Sequence, residues 1–234
     1  ALERGGVAPG EIGICLVATV TPDFLSPAAA CLLQKELGFP EDTICFDLNA
    51  ACSGFVYALH TAECLLASTP RKYGLVLGAE ILSRVMDFGD RSTCVLFGDG
   101  AGAAVLRVEE GEKSGIFAMK MGSDGKKGPV LSCVSRTVGN FLTNTEPQIG
   151  YTTMDGQEVF KFAVKKVPET IKELLDENGL EPKDVKHYVL HQANYRIPHL
   201  LDELNRAGKI QKGDLLVLAG FGAGLTWGAT LVRW

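Results

Sequence analysis

No long basic run, no apolar stretch of bilayer length and no C-x-x-C spacing occurs in these 234 residues. Each absence removes a class of protein. Without a basic face the electrostatic footprint of a nucleic-acid binder is missing, and the net charge of −5 agrees. Without about 20 consecutive apolar residues no membrane-inserted helix is expected. The seven cysteines (Cys15, Cys31, Cys45, Cys52, Cys64, Cys94 and Cys133) are odd in number and fall mostly in apolar runs. Neither a disulfide framework nor a zinc site is therefore expected. His60, His187 and His199 have no partner at metal-ligand spacing, so no metal is expected. The opening Ala1-Leu2-Glu3-Arg4-Gly5-Gly6 does not read as a charged-then-apolar leader. These features together predict a reduced, cytoplasmic, soluble protein.

What is present is a close-packing composition, 46% apolar with 27 glycines. Residues 12 to 19 are apolar on both alternating faces, which predicts a parallel strand covered on both sides. Ser26-Pro27 then predicts the cap and first position of a helix that stops at Gly38. Strands follow at Thr43 to Leu48 and Tyr73 to Glu80, with a helix through Cys52 to about Ser68 between them. Residues 92 to 108 read as a strand pair around a glycine turn, and 121 to 157 as a long surface excursion. A helix is predicted over 158 to 179, with Pro168 kinking it or opening a second one. A strand over 186 to 190 follows it. Strand and helix alternate, so the class is α/β.

The two ends resemble each other. Leu75-Val76-Leu77 followed by a glycine-rich strand is echoed by Leu216-Val217-Leu218, then Gly220 to Gly224 and Thr230 to Arg233. Leu16 to Thr19 is echoed by Tyr188 to His191. Two related halves are expected, residues 1–150 and 151–234. They are unequal, because the helix and strand of residues 27 to 51 have no equivalent after His191, where the chain runs directly into the next helix.

Cys52 carries the chemistry in this reading. It lies at a strand-to-helix junction, where unpaired N–H groups and the helix dipole stabilise a thiolate and a developing oxyanion. A small buried cysteine would fit the same local pattern. His191 ends a parallel strand at the edge where α/β proteins keep their sites, so it is the candidate base or ion-pair partner. A structural histidine is the alternative. The turn Phe221 to Gly228 can present an N–H to an oxyanion, or simply pack tightly. Gly98 to Gly102 precedes a strand rather than a helix, so a dinucleotide loop fails its context test and the glycines are read as packing.

Four segments, Asn49-Ala50-Ala51-Cys52-Ser53-Gly54-Phe55, Phe97 to Ala103, His191-Gln192-Ala193-Asn194-Tyr195-Arg196-Ile197 and Gly220 to Gly228, together resemble the β-ketoacyl-acyl-carrier-protein synthase III family. The resemblance spans the whole chain. It implies a thiolase-like fold of two halves in α-β-α-β-α layers, assembled as a homodimer. It implies an acyltransferase of fatty-acid synthesis with acyl-CoA as substrate and no cofactor. An acyl group passes to Cys52 and condenses with malonyl-acyl carrier protein as carbon dioxide leaves. In that scheme the N–H groups of Cys52 and Gly222 hold the oxyanion, and His191 polarises the malonyl thioester. Asn194, Arg196 and Phe221 line the substrate channel.

Two departures stand out. The family's Tyr-Gly-Asn-Thr-Ser motif, whose asparagine gives the enolate a second hydrogen bond, occurs nowhere here. Its unit belongs between Ile197 and Pro198. An N-terminal strand unit ahead of Ala1 is also lacking. Losing both would leave ladder groups unpaired, so a shortened copy of a longer protein is expected, with a real internal deletion as the other possibility. A related acyltransferase with another acceptor and an inactive thiolase-fold scaffold are the alternative readings.

Overall fold

The computed structural model describes residues 1–109, 115–134, 142, 150–191 and 195–234. The helices are α1 (Leu2–Gly5), α2 (Ala29–Leu37), α3 (Gly54–Leu66), α4 (Gly156–Glu177) and α5 (Arg196–Arg206). The strands are β1 (Ile12–Ala18), β2 (Ile44–Leu48), β3 (Tyr73–Glu80), β4 (Gly100–Arg107) and β5 (Gly115–Ser123). They continue with β6 (Leu131–Cys133), β7 (Thr152–Met154), β8 (His187–Leu190), β9 (Leu215–Gly222) and β10 (Thr226–Arg233).

Two four-stranded sheets form, ordered β2-β1-β3-β4 and β5-β10-β9-β8. In the first, β1 is parallel to both β2 and β3, and β4 is antiparallel to β3. In the second, β8 is parallel to β9, and β10 is antiparallel to β9 and β5. Laying β8, β9 and β10 on β1, β3 and β4 reproduces one arrangement twice. Among the described residues β2 has no equivalent beyond β8, and β5 has none beyond β4. The inequality read from the sequence is thus visible in the sheets.

Alternation sorts each central strand between two cores. Ile14, Leu16 and Ala18 of β1 face α3, and so do Leu216 and Leu218 of β9 from the other sheet. Cys15 and Val17 turn outward with Ala30 of α2. Leu215, Val217 and Ala219 turn outward onto Leu174 and Leu175 of α4. The layers are therefore α2, sheet, α3 with α5, sheet, α4, the expected α-β-α-β-α order.

Several boundaries differ from the sequence reading. Helix α2 starts at Ala29 rather than Pro27, because the Asp47 carboxylate of β2 accepts from Ala29 N–H (2.7 Å) and Ala30 N–H (2.9 Å). A distant acid does the work of a local cap. Gly38 ends the helix at φ 71° as expected. Residues 92 to 99 form no strand, since Asp99 accepts from Ser83 N–H and Oγ and holds the segment in a loop. Only β4 remains of the expected pair. Strand β5 pairs antiparallel with β10 and so joins the second sheet. Residues 121 to 157 are not all excursion: β5 runs to Ser123, and β6 pairs with β7. Pro168 lies within one continuous α4.

Candidate active site

The carboxyl ends of β2 and β8 deliver Cys52 and His191, as expected of parallel strands. After Leu48 the chain turns sharply. Asn49 Oδ1 accepts from Ala51 N–H (3.1 Å), and Ala51 takes φ 44°, the only described non-glycine residue in the left-handed region. Such a conformation costs about 1–3 kcal/mol and gathers at functional sites. Cys52 then occupies a 3-10 turn, Ala51–Ser53, that leads into α3. It keeps part of its surface accessible.

Strand β9 joins this turn to His191. A Cβ added at Gly220 would lie 3.4 Å from Cys52 O and 3.6 Å from His191 Cβ, so one glycine touches both residues. At Gly222 the added Cβ would lie 2.5 Å from Cys52 N. The turn is pressed so closely on β9 that only glycine fits there. His191 N–H donates to Ala219 O (2.8 Å), extending β8, and its ring meets Phe221 edge-on at 5.2 Å. Among the described residues, His191 Nε2 is buried without a hydrogen-bond partner. It is a polar atom positioned for something else.

Burial dominates the electrostatics. It pushes the Cys52 thiol up to about 12, with the Glu80 charge adding to it, and holds His191 down to about 4. Both causes oppose the thiolate that a helix start would favour. The resting pair is a neutral thiol and a neutral imidazole.

The strand register bears on which N–H of this turn can reach an oxyanion, for which Gly222 was the expectation. Asp124 and Leu225 exchange both backbone hydrogen bonds, at 2.8 and 3.0 Å. Alternation then turns the N–H and C=O of Thr226 toward β9, where Thr226 pairs with Gly222. Gly222 N–H is therefore engaged by the Thr226 carbonyl. The next N–H, that of Ala223, begins the turn.

Arg196 sits with Tyr195, His199, Leu96, Phe97, Gly98 and Asp99 around a cavity of about 440 Å³. Asn194 lies outside the described residues. Two residues were missed from the sequence. Glu80, buried at the end of β3, accepts from Val20 N–H (3.2 Å) and Thr21 Oγ1 (2.8 Å), and its charge reaches Cys52. An acid ending an apolar strand was the available signal. Tyr195 donates to Gly98 O (3.2 Å). Burial raises its phenol, Arg196 opposes the shift, and the charges of Asp99, Cys52 and Glu80 add to it. The glycines of Phe97 to Ala103 make room for it, since a Cβ at Gly100 would lie 2.6 Å from its ring. The packing reading of that motif agrees.

Comparison with known proteins bears on this geometry. The family model described as 3-Oxoacyl-[acyl-carrier-protein (ACP)] synthase III matches residues 46–125, and its C-terminal counterpart matches residues 195–234. A beta-ketoacyl-[acyl-carrier-protein] synthase III of Clostridium acetobutylicum is 38% identical, over all of this chain and 81% of its own length. One from Alkalilimnicola ehrlichii is 40% identical with the same coverage. The former aligns over 265 positions against the 234 residues here, so at least 31 of its positions face no residue of this chain. The crystal structure of 3-oxoacyl-[acyl-carrier-protein] synthase III from Aquifex aeolicus matches with a TM-score of 0.89 at 36% identity, covering all of this chain and 81% of that one.

Proposed function

Because the chain belongs to the 3-oxoacyl-[acyl-carrier-protein] synthase III family, a family of initiating condensing enzymes of fatty-acid synthesis, we propose that Cys52 is its acyl acceptor. The Cys52 sulfur attacks the thioester carbonyl of acyl-CoA and its proton leaves with the CoA thiol. The tetrahedral oxyanion is held by the N–H groups of Cys52 and Ala223. Malonyl-acyl carrier protein then loses carbon dioxide, and the resulting enolate carbon attacks the acyl carbonyl. Cys52 departs as the leaving thiolate and is reprotonated, giving 3-oxoacyl-acyl carrier protein.

His191 serves the second half-reaction. A neutral imidazole with a buried, unpartnered Nε2 can donate to the malonyl thioester oxygen and stabilise the enolate. Arg196 and Phe221 guide the pantetheine arm, and Asn194 joins them by resemblance. The observation that carries this reading is the contact of one β9 glycine, Gly220, with both Cys52 and His191. Acyl-CoA acts as a substrate, and no resident cofactor is required.

A homodimer in the cytoplasm is the corresponding assembly. Support comes from Phe24 and Leu25, large apolar residues that are 55% and 101% exposed in the loop between β1 and α2. Among the described residues no helix is long and apolar enough to cross a membrane.

Incubation with acetyl-CoA should leave one acetyl group on Cys52, absent from C52A. Adding malonyl-acyl carrier protein should then release carbon dioxide. H191A should keep acetylation but lose about 100-fold or more of that release. Acetylation without carbon dioxide release would point instead to another acceptor, and a folded chain with an unlabelled Cys52 to a scaffold.

A further inference from the structure

The two oxyanion donors assigned above come from opposite halves of the chain, and their spacing must be held to a few tenths of an ångström to be useful. Two hydroxyls lie between them. Ser53 Oγ is 2.7 Å from Ala50 O and 2.7 Å from Thr226 Oγ1. Thr226 Oγ1 is 3.0 Å from Ala50 O and 3.1 Å from Ala223 O. Ser53 is fully buried. Each hydroxyl has one proton, so Ser53 can donate to Thr226 while Thr226 donates to Ala223 or Ala50.

The acceptors are not arbitrary. Ala50 O belongs to the peptide just before the strained Ala51 and Cys52, and Ala223 O belongs to the residue whose N–H is the second donor. One short polar bridge therefore reaches the backbone on both sides of the oxyanion site, 173 residues apart in sequence.

We propose that Ser53 and Thr226 are positioning residues that lock the Cys52 turn to the β9–β10 turn and so fix the separation of the two oxyanion donors. This rests on Cys52 being the acyl acceptor. Neither hydroxyl touches the substrate. Packing alone would be satisfied equally by valine at 226, which has the shape of threonine but cannot donate, so shape and hydrogen bonding can be separated.

The test compares T226V, T226S and S53A by two readouts on the same thiol. One is single-turnover acetylation of Cys52 by acetyl-CoA, which builds an oxyanion. The other is alkylation by iodoacetamide, a displacement that builds none. T226V should slow acetylation at saturating acetyl-CoA by about tenfold or more, with the half-saturating concentration and the alkylation rate little changed. T226S should restore acetylation. S53A should show a smaller loss, and the double variant no more than the larger single loss, because the hydroxyls act as one unit.

Acetylation of folded T226V at the parent rate would overturn the proposal. So would an equal fall in both readouts, which marks a merely structural role. If T226V fails to fold, S53A decides by the same two criteria. A parent chain that never acetylates Cys52 overturns the acyl-acceptor reading as well, whereas a parent that acetylates normally beside an unimpaired T226V overturns only the bridge.

Discussion

Replacing Gly222 by alanine tests how closely the nucleophile turn rests on β9. The added Cβ would lie 2.5 Å from Cys52 N, 3.1 Å from Cys52 Cα and 3.0 Å from Cys52 Cβ. Ordinary contact begins near 3.4 Å, so the worst overlap is roughly 0.9 Å. None of these atoms belongs to a side-chain end that could rotate aside. Either the Cys52 turn or the end of β9 must retreat by most of that distance. A displacement of about 1 Å in a reacting group costs on the order of 100-fold in rate, and overpacking a close contact costs about 1–3 kcal/mol of stability. Gly222→Ala should therefore slow single-turnover acetylation of Cys52 by about two orders of magnitude and lower the melting temperature. Gly220→Ala is the matched control, two residues away on the same strand. Its added Cβ meets only ordinary contacts, 3.4 Å to Cys52 O and 3.5 Å to Ser53 Cα. It should acetylate within about threefold of the parent and lose about 1 kcal/mol or less. Mass spectrometry of quenched reactions and circular-dichroism melts give both numbers. G222A acetylating like the parent, or G220A failing equally, would refute the argument from close approach.

Two further outcomes follow from the same geometry. With the Cys52 thiol pushed up to about 12, it is neutral throughout the physiological range, and its reactive thiolate fraction grows with pH. Alkylation by iodoacetamide should climb about tenfold per pH unit from 7 to 10, and a rate that levels off between pH 6 and 9 would show a thiolate–imidazolium pair instead. Asp47→Ala removes both carboxylate contacts to the start of α2 and should cost about 1–2 kcal/mol by urea denaturation; acetylation should stay close to the parent, and an unchanged unfolding midpoint would show that the cap contributes nothing.

Much of the architecture was legible because the relevant forces are local or periodic. Strand β1 announced itself by apolar residues on both faces, since each face packs against a different layer. Strand β3 was found to the residue, and the end of α2 was marked by Gly38 at a positive φ. The pairing of Leu75 to Leu77 with Leu216 to Leu218 correctly identified two equivalent strands. The α2 start failed because its cap comes from Asp47, 18 residues on. The expected strand over 92 to 99 failed because Asp99 finds Ser83 rather than a ladder partner. Strand β5 lacks any local mark of which sheet it joins, and that was settled by its antiparallel pairing with β10.

The candidate site divides along the same line. The amino-acid sequence by itself determined that Cys52 stands where a strand becomes a helix and that His191 ends a parallel strand, because residue spacing and turn chemistry are written within a dozen residues. It also determined that the second half is shorter by a strand and helix. Tertiary structure alone decided the protonation states, which depend on how much protein surrounds each group. It decided that Glu80 and Tyr195 approach the thiol, that Gly222 N–H is held in the ladder, and that Ser53 meets Thr226. Desolvation and hydrogen bonding depend on distance in space, and folding brings together Ser53 and Thr226, which the chain keeps 173 positions apart.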